Sequence, residues 1–443
     1  MRVALLTWDY PTDGAVTGLA RAAHMIAHGL ADVGADVTVI SAAHVGERVL
    51  RAHREGEVAE SGRVQRVGVA DRLKKASHTW LRQRACIGHL VAPIAFAEGV
   101  RQATAAFGPF DVVEATNWYA PHAYVGNRQC LLVTRASTPA ADARSADATP
   151  RDRIDLAFAH ELEARAARRS NLVISNTAPH QANIVQLYRL AEHQPRAVIG
   201  LALDETTLAA GRAATWPVKD HPQRLLFVGR AERRKGFREL LDAFDILRAR
   251  NDAALKSPQL HLVGPSLSDV RNVMGARADK LLSDGHLRID QAMSDDELYA
   301  AYAAAHVVVA PSRYESYGLV YREACAFGRP LVACAEDPSA SQFLRDVRCG
   351  VLAASCEGAA IADAVCEAVN PATRDAFARA GRAHAETLSR RSLGAATLAA
   401  YESAIARRFD RAVGIDRSGT RSSLTMRPSP TSRSTQSRSA AQS

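Results

Sequence analysis

Two short strings hold most of the side chains able to do chemistry. The first, PSRYESYGLVYREACAFGRPLVACA over Pro311–Ala335, sets Glu315 and Glu323 eight positions apart. The second, GRAERRKG over Gly229–Gly236, is a glycine-bounded cationic loop with Arg230 and Lys235 five positions apart. Carboxylates accept hydrogen bonds from sugar hydroxyls, whereas cations and the free N–H groups of a helix start hold phosphate. A ligand that is both anionic and rich in hydroxyls satisfies both demands, and a nucleotide sugar is such a ligand. The competing reading of each string is a solvated charge run.

The surrounding pattern shows what must position these groups. The apolar run His306–Ala310 breaks at Pro311-Ser312 and passes through a polar turn into an amphipathic segment. Gly328 and Pro330 close that segment, and strand character resumes as far as Ala335. This predicts strand, loop, helix, strand, with Glu315 in the loop and Glu323 about two turns further on. Ser316 and Tyr317 lead into the helix start. Tyr317, Gly318, Leu319 and Val320 supply its unpaired N–H groups, and Gly318 lets a ligand approach the main chain closely. Upstream, Arg224–Val228 predicts a strand that delivers Gly229, Arg230 and Lys235 to its carboxyl edge, before a helix over Phe237–Arg250.

The first string resembles the signature of the retaining glycosyltransferases of family four, the glycosyl transferases group 1. The likeness lies in the E-x7-E spacing, the small residues after the second Glu and the Gly-x-Pro entering a strand. GRAERRKG resembles the same family's diphosphate-binding loop. The resemblance covers nearly all of residues 1–408 and implies an α/β protein of the GT-B fold, with two Rossmann-like domains facing each other across a cleft. It implies residues 1–205 as an acceptor domain, 206–391 as a nucleotide-sugar domain and 392–409 as a helix crossing back, while the Ser/Thr/Arg/Pro composition of 410–443 reads as a disordered tail. Arg230 and Lys235 would neutralise the diphosphate, Glu315 would bind donor-sugar hydroxyls and Glu323 the ribose. Gly18, Gly229 and Pro265 are further expected donor contacts, Pro265 at the place where the family meets the base. The partners implied are a UDP- or GDP-sugar and a hydroxyl acceptor, with no cofactor and no bound metal.

The amino-terminal part is less informative. Arg2–Thr7 reads as a buried strand, the loop Trp8–Thr17 carries Pro and Gly, Gly18 opens a helix, and Val37–Ile40 gives a second strand. No G-x-G-x-x-G follows the first strand, which argues against a nicotinamide oxidoreductase. The family usually has adjacent glycines here, where this chain has Thr17-Gly18. Beyond the strand Asp111–Ala115, the loop TNWYAPH offers Asn117, Trp118 and His122 as acceptor or sugar contacts, with no basis for choosing among them. The turn after Ala197, where the family usually has Pro-Asn-Gly, holds Gly200, Leu201 and Ala202.

Composition bounds the alternatives. With 443 residues, 47% hydrophobic and 23% charged, the chain fits two globular domains. Its net charge is +9, but Arg417–Ser443 holds five Arg and no acid, which leaves +4 elsewhere. That mild excess suits an anionic donor or lipid surface, and no nucleic-acid motif accompanies it. The basic stretch Asp71–Ala106, with Arg72, Lys74, Lys75, Arg82 and Arg84 around Trp80 and Leu81, reads as a solvated helix face or as a helix lying on anionic lipid. No apolar run is long enough to span a bilayer, and the amino terminus is too short in apolar residues for a signal peptide. The seven cysteines lack C-x-x-C spacing, which predicts reduced thiols in a cytoplasmic protein and no zinc site. A nucleotide-sugar epimerase of the same architecture and a non-catalytic partner subunit are the remaining alternatives.

Overall fold

The computed structural model describes residues 1–11, 18–42, 52–54, 63–69, 88–126, 129–142, 149–217, 223–250, 255 and 257–413. The basic stretch 70–87 and the tail from 414 lie outside these residues, as does most of the loop before Gly18. In the first lobe the strands are β1 (Arg2–Leu6), β2 (Asp36–Ala42), β3 (Ala52–Arg54), β4 (Val64–Val69), β5 (Val112–Thr116), β6 (Leu131–Ala136), β7 (Leu172–Ser175) and β8 (Arg196–Val198). They form an eight-stranded sheet in the order β3-β4-β2-β1-β5-β6-β7-β8, parallel throughout except for the short edge strand β3. The second lobe has β9 (Arg224–Val228), β10 (Gln259–Val263), β11 (Leu287–Asp290), β12 (Val307–Val309), β13 (Leu331–Cys334) and β14 (Gly350–Ala353). Its six strands are all parallel, in the order β11-β10-β9-β12-β13-β14.

These sequences become central strands because helices cover both faces, so each run is apolar end to end rather than alternating. β12 (VVV) and β13 (LVAC) are buried throughout. In β5 and β6 every residue is buried as well, including Glu114 and Arg135, and this places a charged pair inside the first lobe. Strand order reverses between β1 and β5 in the first sheet and between β9 and β12 in the second. A crevice at the carboxyl edge marks such a reversal in doubly wound sheets.

Side-chain oxygens start the connecting helices. Thr177 caps Ala178–Tyr188, and Thr149 forms a capping box with Asp152 ahead of Pro150–Arg169. The segment after β14 forms two helices, Gly358–Ala368 and Pro371–Ala385. Asn370-Pro371 interrupts them, because Pro cannot continue a helix and Asn370 caps the next one.

Several contacts join the lobes. Helix Glu205–Ala213, capped by Asp204, packs through Gly211 on the backbone of Ala326. Thr177 meets Ser339 at 2.9 Å, and Nδ1 of His180 meets the Tyr314 hydroxyl at 2.6 Å. The last helix, Arg390–Val413, returns to the first lobe, with Arg390 and Asp32 paired at 2.6 Å. There Gly394 crosses Gly29 on helix Gly18–Asp32 so closely that a Cβ on either would overlap the other segment's backbone. Residues 1–404 form one compact unit; from Ile405 the description covers the last turns of that helix.

Candidate active site

A cavity of about 790 Å³ lies between the lobes, lined from both carboxyl edges. From the second lobe come Arg230, Arg234 and Lys235 after β9, and Ser312 and Glu315–Tyr321 after β12. From the first come Thr7 and Asp9 after β1, Gly18 and Leu19 at a helix start, Thr116 and Trp118 after β5, and Ser137 and Thr138 after β6.

Glu315 is the hub of the second-lobe wall. Lys235 Nζ reaches its Oε1 at 2.5 Å, Ser312 Oγ donates to the same oxygen at 2.7 Å, and Arg234 Nη1 lies 3.5 Å from Oε2. Burial pushes the Glu315 carboxyl up, yet Lys235 and Arg234 outweigh burial and hold it below its ordinary range. It is therefore ionised at neutral pH. Arg230 stands at the rim, 75% exposed and paired with Glu232 at 2.9 Å. Three cations thus face two carboxylates here, and the surplus is positive.

Lys235 can take this position because of one glycine and a proline. The turn Arg233–Lys235 ends at Gly236 in the left-handed region, φ 66°, and a side chain there would collide with the Pro311 carbonyl. The two loops therefore touch behind the ion pair. Gly318, φ 75°, precedes helix Leu319–Ala326, and a Cβ on it would collide with the Tyr321 ring. The first N–H groups of that helix have no intrahelical acceptor and start at the cavity wall, which gives an anion a place beside the cations. Tyr317 is fixed from both sides: its hydroxyl donates to the Leu201 carbonyl at 2.7 Å, and the Arg322 guanidinium lies 3.9 Å from its ring centre. Gly200 is needed opposite, where a Cβ would lie 2.8 Å from that ring.

Of the residues expected from sequence, Arg230, Lys235, Glu315, Ser316, Tyr317, Gly318, Leu319, Val320, Gly18 and Trp118 line this cavity. Five others lie off its wall. Gly229 is held by its N–H to the Val263 carbonyl, 3.0 Å. Pro265 is buried just before Ser266, which caps the next helix. Glu323 is half-buried on the far flank of its helix, where Tyr302 donates to it at 2.6 Å; burial raises its carboxyl above the ordinary value despite Tyr302 and the charge of Arg21. His122 is buried against Thr134 at 2.8 Å, its imidazole pushed down to about 3 by burial and by Arg169. Asn117 is buried too, accepting from the N–H and hydroxyl of Ser137 at 2.6 and 2.9 Å. It acts on the cavity through Ser137.

Sequence reading found Gly18 and Trp118 but missed the rest of the first-lobe wall. Arg135, which lines the cavity, is buried and pairs with Glu114 at 2.7 Å, and Tyr401 donates to Glu114 at 2.6 Å. Arg135 also donates to Thr397 at 3.0 Å. Behind Asn117, the Tyr188 hydroxyl accepts from its amide at 2.9 Å and donates to Glu163 at 2.7 Å. The one available signal was position: Thr116 and Arg135 end strands at a carboxyl edge, and Ser137 and Thr138 follow there. Arg234 was visible in the cationic string but not distinguishable from its neighbours there.

Residues 214–384 match the model of the family described as glycosyl transferases group 1. Among curated relatives, the D-inositol 3-phosphate glycosyltransferase of Streptomyces scabiei is 30% identical over 326 residues, 70% of this chain and 72% of that one. A glycogen synthase of Mycobacterium tuberculosis is 26% identical over 343 residues, 75% of this chain and 77% of its own. Among solved structures, sucrose-phosphate synthase from Thermosynechococcus elongatus superposes with a TM-score of 0.67 at 18% identity, covering 92% of this chain and 99% of that one. Two facing Rossmann-like lobes, a cationic loop opposed to Glu315 and these likenesses agree: the chain belongs to the glycosyl transferases group 1 family and is a glycosyltransferase of the GT-B fold.

Proposed function

We propose that this glycosyltransferase moves a sugar from a UDP- or GDP-sugar to a hydroxyl acceptor with retention of anomeric configuration. The observation that carries the reading is the Lys235–Glu315 pair, with Arg234 on the second carboxylate oxygen and a helix start alongside. In this reading Lys235 and Arg230 meet the charge that grows on the departing nucleoside diphosphate, and the N–H groups at Leu319 and Val320 share it. When donor enters, Lys235 turns part of its bonding to phosphate, and Glu315 becomes free to accept from donor-sugar hydroxyls while Ser312 holds it in place. Glu323, off the cavity wall and accepting from Tyr302, takes no part in this reading. Ser137 and Trp118, on the opposite wall, would face the acceptor. The names of the relatives include a phosphorylated inositol and a glucan, so polyols, hexose phosphates and glucans are the acceptor classes to test.

The test is a panel of UDP- and GDP-sugars scored first by thermal protection and then by product formation with each acceptor class. One donor should raise the melting temperature, and Lys235→Ala should lose turnover with that donor. Proton NMR of the product should show the donor's anomeric configuration. Protection by no activated sugar, or a product of inverted configuration, would overturn the reading.

A further inference from the structure

A second cluster of reactive side chains sits behind the cavity wall, in the second lobe. Cys334 ends β13, and its register partner in β14 is Ala353. Three residues later the chain folds back and brings Cys356 to Cys334, the two thiols within hydrogen-bonding reach. Both are fully buried, whereas Glu336 beside them is exposed. The Cys356 N–H donates to Glu336 Oε1 at 2.7 Å, which pins the carboxylate over the sulfurs. One atom of each of the three residues lies within 4.8 Å of the other two. The earlier expectation of no zinc site rested on spacing along the chain; here the ligands converge across two strands instead.

We propose that Cys334, Cys356 and Glu336 bind one soft divalent cation such as Zn²⁺, with solvent in the fourth position. Two sulfurs and one carboxylate oxygen are a donor set that favours such an ion over a hard one. Tetrahedral coordination requires sulfurs about 3.5–4 Å apart, so the cluster needs only small side-chain rotations. Glu336 gives the ion a route in from solvent. Binding exchanges the two thiol protons for the cation, and the resulting thiolates and carboxylate lie close to the Arg313 guanidinium, itself paired with Glu239 at 2.8 Å. The site also touches the catalytic loop. Cys356 Sγ donates to the Pro311 carbonyl at 3.5 Å, the same carbonyl against which Gly236 of the Lys235 loop is packed.

The experiment is a titration of chelator-treated, thiol-reduced protein with Cd²⁺, following sulfur-to-metal charge-transfer absorption, then displacement by Zn²⁺. One equivalent per chain is expected, with release of two protons. Cys334→Ser and Cys356→Ser should each abolish the signal, and Glu336→Gln should weaken affinity roughly tenfold. The buried Cys325–Cys349 pair, which has no carboxylate partner among the described residues, and Cys86 serve as controls: Cys325→Ser, Cys349→Ser and Cys86→Ser should leave the signal intact. Because Glu336 is exposed, its variant stays informative where a cysteine variant fails to fold. No charge-transfer band, a band that survives Cys356→Ser, an unaltered affinity in Glu336→Gln, or a Cys334–Cys356 disulfide that forms in place of metal binding would each overturn the proposal.

Discussion

Both lobes hold charge beside the same cavity, but they secure it differently. The second lobe uses loops: Lys235 and Glu315 are each set by a glycine or proline within a few residues, Ser312 holds Glu315 from within its own turn, and Lys235 and Arg234 reach it loop to loop across about 80 positions. The first lobe uses its core. Arg135 is held by Glu114 from the neighbouring strand and by Thr397 and Tyr401 from the last helix, more than 250 positions away. Losing one side chain should therefore cost the loop-built site little stability and the core-built site several kcal/mol.

Four substitutions can break or sharpen that contrast. The largest expected effect is in the first lobe, where Glu114→Ala leaves Arg135 buried without its partner and should cost about 3–5 kcal/mol by denaturant unfolding. A loss below about 1 kcal/mol would mean the lobe tolerates change as readily as its neighbour. Lys235→Ala should lower kcat by roughly 10²–10³ with the melting temperature nearly unchanged, and the reverse outcome would make the pair structural.

Third comes pH. The Glu163 carboxyl, buried behind Asn117, is pushed up to about 7 by burial against the opposing pull of hydrogen bonds from Ala140 and Tyr188. Because its value is raised on folding, its favourable contribution is present below the ordinary carboxylate range and is lost as pH climbs through about 7. Wild-type stability should therefore fall by up to about 3 kcal/mol on that account between pH 4.5 and 8, and Glu163→Gln should flatten the curve. Smallest is Arg230→Ala, a rim cation open to solvent. It should lower kcat several-fold, by about 1 kcal/mol or less, with little change in the donor KM, and added salt should shrink the difference between variant and wild type.

The same contrast explains what could be read from sequence. Glu315, Lys235 and the helix start at Gly318 were legible because turn chemistry is local: glycine, proline and the end of an apolar run mark the loop by themselves. Gly18 and Trp118 were found by the same edge-of-strand logic, more loosely. Glu114 and Arg135 were hidden, since each sits in an apolar strand run and nothing nearby announces a partner on the last helix. His122 and Asn117 stood in the right loop, but side-chain direction decides between core and cavity, and no periodicity reports that direction in an irregular turn. The break at Asn370-Pro371 was readable in principle, because Pro carries its own signal.

The crossing of Gly29 and Gly394 has a consequence for building hybrids of this protein. Main chain there rests on main chain, with no side chain between to absorb a mismatch. A chimera that takes its first lobe from one relative and its last helix from another would need a glycine at each of those positions. Otherwise the returning helix would be levered off, and Tyr401 would be pulled away from Glu114. Recombination should therefore inherit helix Gly18–Asp32 and the segment from Arg390 onward from a single parent, although nearly the whole chain separates them.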